Sequence, residues 1–209
     1  MAPTSTKKTC FLTVGATASF LPLVSAALTT DFLAALSKHG YSDLIIQYGS
    51  VADGKEHFEQ SMTETESQRK KSIVNVRGFA LDPAGLGAYM REAKGISASK
   101  ASREKLEEGV VISHAGSGTI LDALRLNVPL IVVPNPTLLD NHQLELAEAL
   151  AEQGYVVHGR LDALVDALEA AEKMRQRSRE WPPINSGVHR VVNVGGLAGV
   201  MDEEMGFLD

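Results

Sequence analysis

Residues 110–122, VVISHAGSGTILD, concentrate small and polar residues at the end of an apolar run. Gly116 and Gly118 carry no Cβ, so the backbone there can come close to a ligand. An apolar helical pattern begins at Ser117, and the first turn of a helix offers unpaired N–H groups and about half a positive charge. Together these features suit a phosphate group bound at the start of a helix.

Two further side chains extend this pattern from one phosphate to a nucleoside diphosphate. His114 can donate to a diphosphate oxygen, and Asp122, just beyond the first turn of the predicted helix, can accept from the vicinal hydroxyls of a ribose. Ser117 and Thr119 either cap the helix or donate their hydroxyls to a ligand. The alternative is a glycine-rich strand-to-helix turn with a capped helix, which leaves His114 and Asp122 unexplained.

The segment DNHQLELA, residues 140–147, places three hydrogen-bonding side chains at the start of another predicted helix. Asn141, His142 and Gln143 follow the apolar run LIVVP and a proline-containing turn. Amides offer both donors and acceptors, which suits neutral sugar hydroxyls. The alternative is a simple N-cap at Asp140 or Asn141.

The loop VGATASF, residues 14–20, follows the first predicted strand, with Gly15 at its start and a hydroxyl at Thr17 suited to a phosphate. The loop is not GxGxxG, and the second strand ends IQYGS, without an acid for a ribose. These departures exclude a dinucleotide-binding fingerprint, and the lack of GK[ST] after a glycine loop excludes a P-loop.

Composition and the remaining motifs narrow the function further. The 209 residues are 44% hydrophobic and 22% charged, as in an ordinary globular protein, and the net charge of −6 argues against nucleic acid as the main partner. Cys10 is the single cysteine, so no internal disulfide is possible and a reducing compartment is expected. No Asp-x-Asp, HExxH or cysteine cluster occurs, so neither a metal nor a cofactor is predicted.

Short apolar runs alternate with longer helical patterns along the chain. This alternation predicts an α/β fold with a mostly parallel sheet and helices on both faces. Ligands bind at the carboxyl ends of the strands in such sheets, so the three loops meet at one edge. The predicted strands are Thr9–Val14, Leu44–Tyr48, Ile73–Val76, Val110–Ser113, Leu130–Val133 and Tyr155–Val157. The predicted helices are Val24–His39, Glu56–Arg69, Gly85–Arg91, Ser117–Leu126, Asn141–Gln153 and Leu161–Arg175, with helix stops at Gly40, Asn127 and Gly154.

The pattern divides the chain into one α/β domain over residues 1–180 and a tail over 181–209. The tail ends GGLAGVMDEEMGFLD and is either a frayed terminus or a segment that docks on a partner. The basic segment 94–105, KGISASKASREK, is predicted as a mobile loop or a short exposed helix. The longest apolar run, VPLIVVP, is far shorter than the roughly 20 residues that span a bilayer, so any membrane attachment is expected through another molecule.

The motifs VISHAGSGTILDAL, NHQLELA, TVGATASF and IQYG, in order over residues 9–160, resemble one enzyme family. They are similar to the small donor-binding subunits of the two-chain endoplasmic-reticulum N-acetylglucosaminyltransferase. A more distant likeness is to the C-terminal half of the bacterial glycosyltransferase that makes the peptidoglycan lipid precursor. The resemblance implies a Rossmann-like domain that forms one half of a GT-B glycosyltransferase.

The resemblance also implies substrates and residue roles. The donor is UDP-GlcNAc and the acceptor is dolichol-diphosphate-GlcNAc, which gains its second GlcNAc. The resemblance assigns the diphosphate to four residues, His114, Gly116, Ser117 and Gly118. It assigns the ribose to Asp122, and the GlcNAc hydroxyls to Asn141 and Gln143 with His142 nearby. Gly15 and Thr17 are assigned to the wall of the cleft.

Length gives an independent reason to expect a partner. A GT-B enzyme needs two domains of roughly 100–200 residues each, and this chain supplies one. The acceptor half and a membrane anchor are therefore expected from another polypeptide at the cytosolic face of the endoplasmic reticulum. Two alternatives stay open at this point, a nucleotide-sugar-binding regulatory module without turnover and a self-contained glycosyltransferase.

Overall fold

A computed structural model describes residues 6–16, 20–50, 52–65, 73–96, 105–136 and 142–180. The six strands within these ranges form one sheet in the order β3-β2-β1-β4-β5-β6, and every neighbouring pair is parallel. This arrangement confirms the predicted parallel α/β sheet. The strands are β1 Thr6–Thr13, β2 Asp43–Gln47, β3 Asn75–Phe79, β4 Lys105–His114, β5 Leu130–Val133 and β6 Val157–His158.

Helices cover both faces of the sheet. One buried apolar cluster joins the sheet to α1, α2, α3 and α7, and a second joins its other face to α4, α5 and α6. The helices are α1 Leu21–Ala27, α2 Thr30–Lys38, α3 Ala52–Glu64, α4 Gly87–Ala93, α5 Ser117–Arg125, α6 His142–Glu152 and α7 Leu164–Glu180, with a 3₁₀ turn at Leu161–Ala163 before α7.

The central strands are apolar because both of their faces are buried. Along β1, Cys10 and Leu12 point into the first cluster while Phe11 points into the second, as the two-residue period of a strand requires. Val111 of β4 likewise packs opposite to Val110. A strand that is covered on both sides shows a continuous apolar run and no alternation, which is why these runs were visible in the sequence.

The predicted helix Val24–His39 is wrong as a single element, because it is two helices. The break lies at Thr29, whose backbone is extended and whose hydroxyl accepts from the Phe32 N–H at 3.3 Å. A threonine N-cap offers the backbone an alternative to helical pairing, and this makes α2 begin as a separate helix.

Several predicted boundaries also shift. β4 starts at Lys105 instead of Val110, because residues 105–107, with the sequence KLE, pair in parallel with residues 6–8 of β1. Lys105 therefore belongs to a strand, which corrects one end of the segment 94–105, and residues 97–104 lie outside the described part. The helix predicted at Glu56–Arg69 starts earlier, at Ala52. The predicted helix stops at Gly40, Asn127 and Gly154 all have positive φ, at 76°, 51° and 74°.

A buried ionic cluster ties α7 to the amino end of β1, at the edge opposite to the glycine loops. The Lys8 ammonium donates to both carboxylate oxygens of Glu172, at 2.9 and 3.0 Å, and to the His39 carbonyl at 3.0 Å. The Tyr41 hydroxyl donates to the same carboxylate at 2.7 Å, and Arg175 also pairs with it. In the part of the chain described here, no helix is both long and apolar enough to cross a bilayer.

Candidate functional site

The strand order has its reversal point between β1 and β4. The chain leaves β1 towards α1 on one face and leaves β4 towards α5 on the other face. Such a reversal opens a crevice at the carboxyl ends of the two strands, where open α/β sheets bind ligands. The loop after β1 and the loop after β4, two of the three predicted, meet at this crevice.

The imidazole of His114 lies between two glycines, one from each loop. A Cβ on Gly15 would lie 2.4 Å from Cε1 of His114, and a Cβ on Gly116 would lie 2.3 Å from Nε2. Gly15 also has a φ of +82°, a conformation that side chains disfavour. Any larger residue at either position would displace the ring, so the position of His114 accounts for both glycines.

His114 is half-buried, and its burial favours the neutral form of the imidazole. Burial lowers the pKa of its imidazole below the ordinary value, and the Thr13 backbone partly opposes that shift. Its buried Nδ1 has no hydrogen bond of normal geometry with any described residue. A neutral imidazole carries one N–H donor and one acceptor nitrogen, so the ring can donate a single hydrogen bond to a ligand oxygen.

The N-terminus of α5 is uncapped and open. Its N-cap residue is Gly116, which has no side chain to accept from the first turn, so the capping alternative for Ser117 is wrong. The first intrahelical hydrogen bond runs from the Ile120 N–H to the Gly116 carbonyl at 3.1 Å, and the N–H groups before it have no helical partner. A Cβ on Gly118 would meet nothing within 4 Å, so this glycine has no steric reason within the described fold.

Asp122 lies on the same helix and is exposed. Its carboxylate is 3.4 Å from the Arg125 guanidinium, with side-chain exposures of 62% and 75%. Surface pairs of this kind contribute little stability and exchange readily with water or a ligand. The carboxylate is therefore available to a ligand that lies along α5, and its role towards a ribose stays a prediction.

The third predicted loop follows β5, which lies next to β4. Gln143 is half-buried, and its side-chain oxygen accepts from the Asn135 N–H at 3.2 Å, so this side chain also holds the turn after β5. His142 is 72% exposed and lies 3.8 Å from the Glu145 carboxylate of its own helix. Thr17 and Asn141 lie outside the described residues, as does the tail 181–209.

A cavity of about 410 Å³ adjoins this third loop at the carboxyl ends of β5 and β6. Gln143 lines it together with His158 and Arg160, and most of its remaining wall is apolar. His114 and Gly116 do not line this cavity, so the crevice at β1 and β4 is a separate feature. Among the residues that can be described, no group of three or more His, Cys, Asp or Glu side chains is placed to hold a metal ion.

Gln47, the last residue of β2, belongs to the site and was missed from the sequence. It is fully buried and hydrogen bonds to Gly15 through both the N–H and the carbonyl of that glycine. The ending IQYGS has no acid that could bind a ribose, but its glutamine was a usable signal. Gln47 is a polar amide at the end of an apolar strand, where a buried polar side chain must have hydrogen-bond partners.

Comparisons with known proteins agree with this fold. Residues 9–187 match the model of the glycosyltransferase family 28 C-terminal domain. The UDP-N-acetylglucosamine transferase subunit ALG13 of Saccharomyces cerevisiae is 36% identical over 156 residues, which cover 72% of this chain and 76% of that protein. The subunit of the same name from Candida glabrata is 36% identical over 177 residues, covering 81% and 87%.

A solved structure gives the same result. The solution structure of ALG13 superposes with a TM-score of 0.55 at 30% identity, covering 82% of this chain and 86% of that one. A match to the C-terminal domain of a glycosyltransferase family confirms the predicted Rossmann-like half of a GT-B enzyme. The chain therefore belongs to glycosyltransferase family 28, through its C-terminal domain, and within it to the UDP-N-acetylglucosamine transferase subunits of the ALG13 type.

Proposed function

We propose that this chain is the UDP-GlcNAc-binding catalytic subunit of an inverting, metal-independent N-acetylglucosaminyltransferase. The enzyme adds the second GlcNAc to GlcNAc-diphosphodolichol, an early step of lipid-linked oligosaccharide synthesis for N-glycosylation. The names of the relatives support the donor and the subunit status. The crevice between β1 and β4 supports the assignment of donor binding to this chain.

Gly118 is the single observation that carries the proposal furthest. It occupies the first turn of α5, where most residues other than proline would favour the helix more, and a Cβ there would meet no described atom within 4 Å. A diphosphate on the unpaired N–H groups of this turn would need the backbone bare at that point. The glycine thus fits a ligand better than it fits the fold.

The proposed roles combine the described geometry with the family resemblance. The β4–α5 loop would hold the diphosphate, with His114 donating from the side, and Asp122 would accept from the ribose. Gly15 would line the crevice from the β1 loop, and His142 and Gln143 would face the sugar from the start of α6. Thr17 and Asn141, which lie outside the described residues, are assigned to the crevice and the sugar by the resemblance alone.

The chemistry that this chain supplies is the departure of UDP. In an inverting transfer a base deprotonates the acceptor hydroxyl, and negative charge develops on the leaving diphosphate. The N–H groups and the dipole of α5 are already oriented towards that charge, so they stabilise it without reorganisation. The base is proposed to lie on the partner, because the partner is the subunit proposed to hold the acceptor hydroxyl.

The partner is proposed to be a membrane-anchored subunit that binds the acceptor. It would hold this chain peripherally at the cytosolic face of the endoplasmic reticulum and bring dolichol-diphosphate-GlcNAc to the crevice. The tail 181–209 is proposed to dock on that partner, because its apolar residues Leu197, Val200, Met201, Met205, Phe207 and Leu208 are interrupted by acids in the manner of a short amphipathic segment.

The test uses the assembled enzyme, obtained by co-expression with candidate membrane partners. His114→Ala and Asp122→Ala each remove a hydrogen bond to a charged group or ligand, which is worth roughly 1.5–3 kcal/mol, so the KM for UDP-GlcNAc should rise about ten- to a hundredfold. Gly118→Ala should raise helix stability by up to about 1 kcal/mol and yet impair donor use. Wild-type kinetics in all three folded variants would contradict the proposal, and donor binding without transfer would favour a regulatory module.

A further inference from the structure

The side-chain amide of Gln47 is saturated with hydrogen bonds at the carboxyl end of β2. Its oxygen accepts from the Thr13 hydroxyl at 2.5 Å and from the Gly15 N–H at 3.1 Å. Its nitrogen donates to the Gly15 carbonyl at 2.9 Å and to the Ala80 carbonyl at 2.8 Å. Two donors and two acceptor lone pairs are the whole capacity of a glutamine amide, so every one of them is used.

The orientation of this amide is fixed by its backbone partners. The Gly15 N–H can only donate, and the carbonyls of Gly15 and Ala80 can only accept. Rotating the amide by half a turn would place N–H against N–H and oxygen against two oxygens. Gln47 is also completely buried, where an unpaired amide would be costly, so the arrangement has no alternative.

Gln47 thereby connects the ends of three neighbouring strands. Thr13 ends β1, Gln47 ends β2 and Ala80 follows β3, which is the edge strand of the sheet. The Gly15 N–H also donates to the Thr13 hydroxyl at 3.2 Å, so the backbone of this glycine is held at both its N–H and its carbonyl. Holding both groups maintains the left-handed conformation of Gly15.

The position of Gly15 in turn bounds the imidazole of His114. The Cα of Gly15 leaves no room for a Cβ beside Cε1 of the ring, and Gly116 bounds the other side. A shift of Gly15 by a fraction of an ångström would either press on His114 or release it. The amide of Gln47 therefore acts on His114 through Gly15, although Gln47 itself is buried below the crevice.

We propose that Gln47 is the positioning residue of the donor site, setting His114 through the backbone of Gly15 and linking that loop to the loop after β3. The substrate in this statement rests on the function proposed above. Loops that hold a reacting group need fixed geometry, and a displacement of about 1 Å can cost on the order of a hundredfold in rate. Gln47 supplies that rigidity from a buried position.

The test compares Gln47→Leu with Tyr41→Phe in the enzyme assembled with its membrane partner. Gln47→Leu keeps the volume and removes all four hydrogen bonds, so the KM for UDP-GlcNAc should rise on the order of tenfold or more while the KM for the lipid acceptor stays unchanged. Tyr41→Phe removes a buried hydrogen bond at the opposite edge of the sheet, to Glu172, and should lower the melting temperature without changing either KM.

A second pair of variants covers the case in which Gln47→Leu does not fold. Thr13→Val removes the hydroxyl shared by Gln47 and Gly15, and Thr13→Ser restores it. Thr13→Val should reproduce the rise in donor KM and accelerate hydrogen exchange at the Gly15 amide, and Thr13→Ser should reverse both effects. Donor KM values within twofold of wild type in Gln47→Leu, or in Thr13→Val where that variant replaces it, would overturn the inference.

The two proposals fail in different ways. If His114→Ala and Gly118→Ala raise the donor KM but the variants of Gln47 and Thr13 do not, the donor site stands and the positioning role is wrong. If none of these variants changes donor use, the donor site itself is misplaced, and the positioning role falls with it.

Discussion

The imidazole of His114 and the backbones of Gly15 and Gly116 fill one small volume. Gly116→Ala would place a Cβ 2.3 Å from Nε2 of His114, and overpacking of this kind costs about 1–3 kcal/mol of folding free energy. The double variant Gly116→Ala/His114→Ala removes the imidazole with which the new Cβ would clash, so much of the lost folding free energy should be recovered. Urea unfolding of the two single variants and the double variant gives the coupling energy.

Gly118→Ala is the matched control for this cycle, because its Cβ would meet nothing and its stability should not fall. Additive losses from Gly116→Ala and His114→Ala would show that the glycine and the ring do not share space.

The protonation of His114 should appear in the pH dependence of stability. Burial lowers the pKa of its imidazole in the folded chain, so the unfolded chain binds more protons between that lowered pKa and about 6.5. The free energy of unfolding contributed by this group is therefore complete above about 6.5 and is lost as the pH falls from there through the folded pKa. His114→Gln should remove this part of the slope.

Unfolding titrations of the wild type and of His114→Gln between neutral and mildly acidic pH give the difference directly. The other histidines and the carboxylates are common to both proteins, so they cancel. An identical slope in the two proteins would mean that burial does not perturb His114.

The sequence singles out His114, Gly116 and Gly118 as candidates because their residue types are unusual at the end of an apolar strand. Gln47 could not be identified in the same way, since its proposed role comes from partners at the ends of β1 and β3, the two strands that flank its own. Long-range partners of a buried amide depend on strand order, which residue spacing does not reveal. The packing of His114 between two glycines was hidden for the same reason.

At the scale of elements, α7 is held to β1 by the Lys8–Glu172 cluster. Burial alone would raise the pKa of Glu172, but hydrogen bonds from Tyr41, Lys8 and Arg175 lower it below the ordinary value. Glu172→Gln leaves the Lys8 ammonium buried without its counter-ion, which should cost about 3–5 kcal/mol. The carboxylate's contribution is present above its unfolded pKa and is lost as the pH falls through the lowered folded pKa.

The control for this change is Glu169→Gln on the same helix. Glu169 pairs with Lys38 at 3.3 Å, but both side chains are exposed, so the loss should stay within about 1 kcal/mol. Chemical denaturation gives the free energy of unfolding of both variants. Equal losses in Glu172→Gln and Glu169→Gln would contradict a larger contribution from the buried cluster.

Strands and helices were predictable where burial produces a clear apolar pattern, and less predictable where polar residues form their ends. The apolar cores of β1, β4 and β5 were predicted, but the start of β4 at residues 105–107, where charged residues flank a leucine, depends on pairing with β1. The break at Thr29 was missed because apolar residues continue at helical spacing across it. A single hydrogen bond, from the Phe32 N–H to the Thr29 hydroxyl, overrides that periodicity.

At the scale of the molecule, the alternation of strands and helices predicted the parallel sheet and its two layers of helices, but it did not predict the order of the strands in the sheet. The order β3-β2-β1-β4-β5-β6 places the reversal point beside the glycine loops, so the glycine-rich motif of the sequence borders a crevice in the fold. The chain matches one domain of a two-domain glycosyltransferase architecture. In the proposed two-subunit enzyme, transfer is therefore expected to require both this domain and an acceptor-binding subunit.

The purified chain alone should transfer no sugar to a lipid-diphosphate-GlcNAc acceptor, and co-expression with its membrane partner should restore transfer. Product formation from UDP-GlcNAc in membranes with and without the partner measures this. Membranes that contain the partner but lack this chain control for activity contributed by the partner alone. Robust turnover by the isolated chain would contradict the two-chain enzyme.

The most direct measurement is an NMR titration of the full chain with UDP-GlcNAc, with UDP as the competitor. Donor binding at the start of α5 should give saturable shifts at the amides of Gly15 and of residues 116–119, and these shifts should weaken in the folded Gly118→Ala variant. Shifts confined to the cavity beside β5 and β6, or unchanged binding by Gly118→Ala, would contradict donor binding at the start of α5.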